Sequence, residues 1–161
     1  MADLQAKEAA NNKDIEECYT KIPKSVVISE IQEQSLKRWQ REWMETTKGA
    51  ITKAFFPKIE DRLKMNLNTT PNYTTTVTGH GNINAYLYKY KITDNPACLC
   101  RKGPQTVQHI VFDCPLLETE RGKLKAVVTR SESWPVSCNK LGTKYHKHFK
   151  EYVDKISWNT E

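Results

Sequence analysis

Apolar positions along this chain recur mainly at helical spacing, in several short stretches separated by Pro, Gly, Asn and Thr. The clearest stretch is 24–47. Ile28, Ile31, Ser35, Trp39 and Trp43 stand three, four, four and four residues apart, and Val27, Leu36 and Met44 widen the stripe. That is one face of a helix. Ser25 or Ser29 (with Gln32) can cap its start, and Gly49 ends it. Trp39 and Trp43, one turn apart, are expected in the core, with base stacking as the alternative. Upstream, Ala2 to Glu17 reads as an alanine-rich helix with little apolar surface, marginal by itself. Downstream, Ile59, Leu63 and Leu67 predict a short helix opened by Pro57. Residues 66–78, rich in Asn and Thr, predict a loop or short strand. A helix is expected over 82–90, with Ile83, Ala85, Tyr86, Leu87 and Tyr90 apolar. Another should follow Pro115, with Leu117, Leu124 and Val128 inward. Residues 131–142 predict a loop. The last helix, 144–158, should bury Phe149, Val153 and Ile156. The fold class is therefore mainly α, with no regular sheet beyond a short strand pair near Thr74–Thr78 or Cys98–Cys100.

Composition narrows the chemistry. The 161 residues suffice for one ordinary domain or two very small ones, with 38% hydrophobic and 27% charged residues. No apolar run is long enough to span a bilayer. The start, MADLQAKEAANNKD, lacks an apolar leader core, so an intracellular protein, nuclear or cytoplasmic, is expected. Six glycines and no glycine-rich loop argue against a nucleotide-cradling fold. Net charge is +6, from 25 Lys and Arg against 19 Asp and Glu. Most of it sits between Arg121 and Lys150, where eight basic residues face one acid, Glu132. A localised basic segment points to nucleic acid, with a solvated tail as the alternative.

Five cysteines in a leaderless chain favour reduced thiols or metal over a disulfide framework. Three of them fall in one short stretch. Cys98, Cys100, His109 and Cys114 form a C-x-C-x8-H-x4-C pattern, a closed Cys3His set for one structural zinc. Gly103-Pro104 lets the chain double back, and Thr106 can cap a short helix bearing Val107, His109 and Ile110. Pro115 ends that helix at Cys114. This matters because residues five apart on a straight α-helix do not share a face. The alternative is three small buried hydrophobes and a surface histidine. Cys18 and Cys138 stand apart as free thiols, and His146 and His148 read as a solvated basic face. His80, between Gly79 and Gly81, reads as part of a tight turn. A catalytic role for it is the alternative.

Taken together, these motifs resemble the C-terminal region of polyproteins from non-long-terminal-repeat retrotransposons of the jockey type and their arthropod relatives. The resemblance rests on Trp39 and Trp43, Phe55-Phe56-Pro57, Thr78-Gly79-His80-Gly81, and Tyr86-Leu87 with Tyr90. It continues through Cys98, Cys100, Gln105-Thr106, His109-Ile110-Val111, Cys114-Pro115 and Arg121, in one order over residues 36–125. The resemblance implies that residues 1–20 are the last helix of a ribonuclease H domain, with a metal-binding carboxylate at Asp3. It further implies a helical linker over 24–95, a zinc knuckle with its following helix over 96–130, and a basic tail over 131–161. One aspartate cannot hold the two Mg²⁺ ions of ribonuclease H chemistry. Nor do His80, Asp3 and Asp113 show a partner at motif spacing. A non-catalytic fragment is therefore expected, binding RNA or DNA through phosphate contacts from Lys89, Lys91, Arg101, Lys102, Arg121, Lys123 and Lys125. The competing expectation is an appendage docked on the upstream polymerase and ribonuclease H domains, with no membrane association in either case.

Overall fold

The computed structural model describes residues 2–12 and 21–158. Two units divide the chain, 1–37 and 38–161. The first holds α1 (Ala2–Asn11), none of whose residues is buried, and the beginning of α2 (Lys24–Glu45). Asp3 pairs with Lys7 one turn later on the open face of α1. Residues 13–17 of the expected first helix, and Cys18, lie outside the described residues.

The second unit carries the core. After α2 come α3 (Ala50–Phe55), α4 (Ile59–Lys64), α5 (Pro71–Thr78) and α6 (Asn84–Lys89). A five-residue π-type turn (His109–Asp113) and a 3₁₀ turn (Pro115–Leu117) follow. Then come α7 (Glu118–Val128), α8 (Cys138–Gly142) and α9 (His146–Val153). Among the described residues there is no strand, only an isolated antiparallel bridge between Ala97 and Pro104.

Phe149 on α9 is fully buried and organises the centre. Its ring stacks on Phe55 with centroids 5.4 Å apart and meets Tyr73 edge-on at 6.1 Å. Within the segment expected as a basic tail, 131–161, the described residues share one core with the linker segment and the knuckle: Val136, Leu141, Tyr145, Tyr152, Val153 and Ile156 are all buried in it. Rings of this size dominate core energetics because each removes a large apolar area from water.

Two expectations of irregular structure are corrected. Residues 71–78 form helix α5, not a loop or strand. Thr70 caps it, its Oγ1 accepting from the Tyr73 N–H at 3.2 Å, and Pro71 supplies the preset φ of a first helical position. The threonine run that suggested a strand turns its hydroxyls back: Thr76 donates to the Asn72 carbonyl and Thr78 to that of Thr74. Within the expected 131–142 loop, Ser137 caps α8, which buries Leu141 and packs Gly142 against Phe55 and Phe56. The tryptophan pair also departs from expectation. Trp39 is 49% exposed. Trp43 is half-buried, its indole N–H donating to the Phe56 carbonyl at 3.0 Å.

Candidate metal centre

The knuckle begins where the chain reverses at 98–103. The Cys98 N–H donates to the Gly103 carbonyl at 2.9 Å, and the Arg101 N–H to the Cys98 carbonyl at 2.9 Å. Arg101 takes a left-handed φ of 57° to make this turn. The turn brings Cys98 and Cys100 to one side, and the Lys102 N–H points at the Cys100 sulfur, 3.4 Å away.

His109 and Cys114 approach from the opposite side of the knuckle, at the two ends of the π-type turn. The Thr106 hydroxyl caps the short helix by accepting from the His109 N–H at 3.1 Å. From there the turn widens, and the Cys114 N–H donates to the His109 carbonyl at 2.7 Å, five residues back. A π-type turn sets residue i+5 near residue i, which a straight α-helix does not. Cys114 itself is extended (φ −61°, ψ 118°), as expected for a residue before proline. The expected helix end at Pro115 is therefore present, but the widened turn does part of the work.

The outcome is four ligand atoms all within 4.8 Å of one another. Cys98 and Cys114 sulfurs stand 3.7 Å apart, and the Cys100 sulfur lies 3.1 Å from His109 Nε2. Two sulfurs on one tetrahedral zinc, at Zn–S of about 2.3 Å, stand about 3.8 Å apart. The sulfur pair already has that spacing; the Cys100–His109 pair would open by a few tenths of an ångström. The donor set fits a metal ion. Burial pushes the Cys98 thiol up to about 12. Burial also raises Cys100, but the Lys102 N–H and the neighbouring sulfurs outweigh it and bring it below its ordinary value. Among the described residues no other group of three or more His, Cys, Asp or Glu could hold a metal.

Two neighbours hold the knuckle in place, and neither was singled out for this role by spacing. Gln105, 3% exposed, accepts the Asn84 N–H on its side-chain oxygen and the Ala85 N–H on its carbonyl. Asn84 returns the contact through its side-chain amide to the Ala97 carbonyl at 2.8 Å. From the other side, the Tyr152 hydroxyl donates to the Ile110 carbonyl at 2.6 Å. A polar side chain at the start of a helix and a tyrosine on an apolar stripe are weak signals by themselves.

The predicted phosphate-contacting residues divide. Lys89, Lys91, Arg101 and Lys102 are exposed, with no carboxylate pairing among the described residues. Lys125 is exposed as well, while Lys123 is held by both oxygens of Glu120 at 2.8 Å. Arg121 does not belong with them. Its side chain is 6% exposed, pairs with Glu118, and leaves Nη1 buried without a partner. It faces the interior beside the Tyr152 hydroxyl, whose acidity it affects. The basic excess of 121–150 is also partly neutralised, since Lys140 and Lys144 both bind Glu132 and Lys150 binds Asp154. Cys138 is a free thiol raised by burial.

No protein-family model and no solved structure matches this chain. Curated sequences do. It is 31% identical over 94 residues to the Retrovirus-related Pol polyprotein from type-1 retrotransposable element R1 of Bradysia coprophila, across 56% of this chain and 9% of that protein. The polyprotein of the same description from Popillia japonica is 29% identical over 135 residues, 81% of this chain and 53% of that protein. Its homologues are R1-type non-LTR retrotransposon Pol polyproteins. The chain spans only part of these relatives: a further R1 Pol polyprotein, from Nasonia vitripennis, is 26% identical over 110 residues, 29% of its length. No helix among the described residues is long and apolar enough to cross a membrane.

Proposed function

We propose that the chain is a zinc-stabilised, nucleic-acid-binding segment of an R1-type Pol polyprotein, corresponding to its C-terminal region and working inside the cell without ribonuclease H or polymerase chemistry of its own. The observation that carries this is the convergence of Cys98, Cys100, His109 and Cys114 on one point, on a turn that exposes Arg101 and Lys102. Bound zinc would supply rigidity, cross-linking the 98–103 turn to the π-type turn. Lys89 and Lys91, at the end of α6, add two cations tied to the same loop through Asn84 and Gln105. Asp3 supports no catalysis in this reading, being an exposed carboxylate paired with Lys7 on the surface of α1.

The test is binding of single-stranded RNA by the zinc-loaded chain over a salt series. Contacts from Lys89, Lys91, Arg101 and Lys102 should give a log–log slope of about −3, at about −0.7 per phosphate. A flat salt response defeats the reading. A second reading, docking on other domains of the polyprotein, is favoured by one feature. Val27, Ile28 and Ile31 of α2 are 40–58% exposed, an apolar stripe that water does not favour. Tight binding of a separately made polymerase fragment, without retention on RNA, would support that reading instead.

A further inference from the structure

The Thr78-Gly79-His80-Gly81 turn is unexplained by the metal centre, yet its geometry is tightly specified. Gly79 ends α5 in the left-handed region (φ 71°), and a Cβ there would fall 2.2 Å from Ile51 Cδ1. Gly81 (φ 104°) has Thr75 Oγ1 2.9 Å from where its Cβ would be. Both glycines hold backbone angles that other residues rarely adopt, and the residue between them, His80, is put on the surface. Its ring meets Tyr86 at 4.9 Å between centroids, and Tyr86 meets Tyr90 at 4.8 Å. Lys89 Nζ lies 5.8 Å from the Tyr90 ring. The three rings form a row along a cleft of about 740 Å³. Lys48 and Lys89 also line it, and no carboxylate does. Tyr90 is 56% exposed, so its ring has no protein partner over much of its surface.

We propose that His80, Tyr86 and Tyr90 form a stacking platform for successive bases of a single-stranded nucleic acid, with Lys48 and Lys89 meeting its phosphates. A row of rings beside unpaired cations is what an unpaired strand requires, because every base has a π-face and every linkage a charge. The proposal rests on the nucleic-acid reading above and adds to it a contact with bases that phosphate binding does not need.

The full zinc-loaded chain is titrated with two probes of about twelve nucleotides, within the usual range of site sizes. One is a single-stranded RNA and the other an abasic strand of the same length. The RNA should bind more tightly. Tyr90→Leu and His80→Leu should each weaken RNA binding about tenfold and leave the abasic strand unaffected, while Tyr90→Phe keeps wild-type affinity. Unchanged zinc content shows that the variants remain folded. Independently of any variant, a fluorescent adenine analogue in the RNA should be quenched when bound to the wild-type chain. Equal affinity for both probes, equal weakening of both by the leucine variants, or an unquenched analogue at saturation overturns the platform and leaves phosphate binding intact. Failure to bind either probe overturns both.

Discussion

Cys98 and Cys114 are the residues whose loss should do most harm at the metal centre. Both are buried, at 4% and 1% exposure, and their sulfurs already stand at a ligand-to-ligand spacing. Cys98→Ser or Cys114→Ser should lower metal content from near one zinc per chain toward none. Amide exchange over 96–116 should rise with it, because metal binding is coupled to folding. Finding no zinc in wild-type protein purified under reducing conditions would contradict this. Glu132 gives a second prediction at the same scale. Hydrogen bonds from Lys140 and Lys144, with their charges, lower its carboxyl to about 2 from an ordinary 4.5. A depressed carboxyl contributes stability that is complete above its unfolded value and disappears as pH falls through its folded value. Glu132→Gln should therefore lower the urea midpoint at pH 7, and the gap to wild type should close between about pH 4.5 and 2. Any loss of metal in acid would be common to both proteins, so the difference isolates Glu132. A gap that persists to pH 2 would remove the ion pairs as its cause.

At the scale of elements, capping explains both what the sequence revealed and what it concealed. The convergence of Cys98, Cys100, His109 and Cys114 was legible because their spacing and Pro115 act over a few residues. Helices α2, α7 and α9 were legible because apolar residues recur with helical period. Helix α5 was not, since Asn and Thr favour turns and strands in isolation. Its helicity comes from the Thr70 cap and from Tyr73, Thr76 and Val77 being buried by elements distant in sequence. Thr70 also donates to Asp154 Oδ1, tying that cap to the end of α9. Thr70→Ala should then cost about 1–2 kcal/mol, measured by thermal or urea unfolding. No measurable loss would mean that tertiary burial alone forms α5. Arg121 illustrates the opposite failure: a basic residue in a basic segment reads as surface, and only packing shows it buried. Arg121→Met should leave RNA affinity within about twofold, whereas Arg101→Ala with Lys102→Ala should weaken it and flatten the salt slope by about 1.4, from about −0.7 per contact. Comparable losses in both would return Arg121 to the phosphate-contacting face.

Within residues 38–158 buried side chains, from Phe55 to Ile156, join in one hydrophobic cluster that includes Cys98 and Cys114. The connection that makes this testable is the Tyr152 hydroxyl. It lies on α9, far along the chain from the knuckle, and donates to the Ile110 carbonyl inside the π-type turn that carries His109 toward Cys114. Burial raises the Tyr152 phenol above its ordinary value, so it remains a donor throughout the neutral range. Tyr152→Phe keeps the ring that packs on Phe149 and removes the hydroxyl, with its bond to Ile110 and its interaction with Arg121. The Ile110 carbonyl then loses a partner in a buried setting, at a cost of about 1–3 kcal/mol. If α9 stabilises the metal centre, the variant should unfold earlier and also surrender zinc to a chelating dye faster than wild type. Its salt slope on RNA should not change, because no phosphate-contacting cation has moved. The same loss of stability with unaltered zinc release would show that the core and the knuckle are stabilised separately.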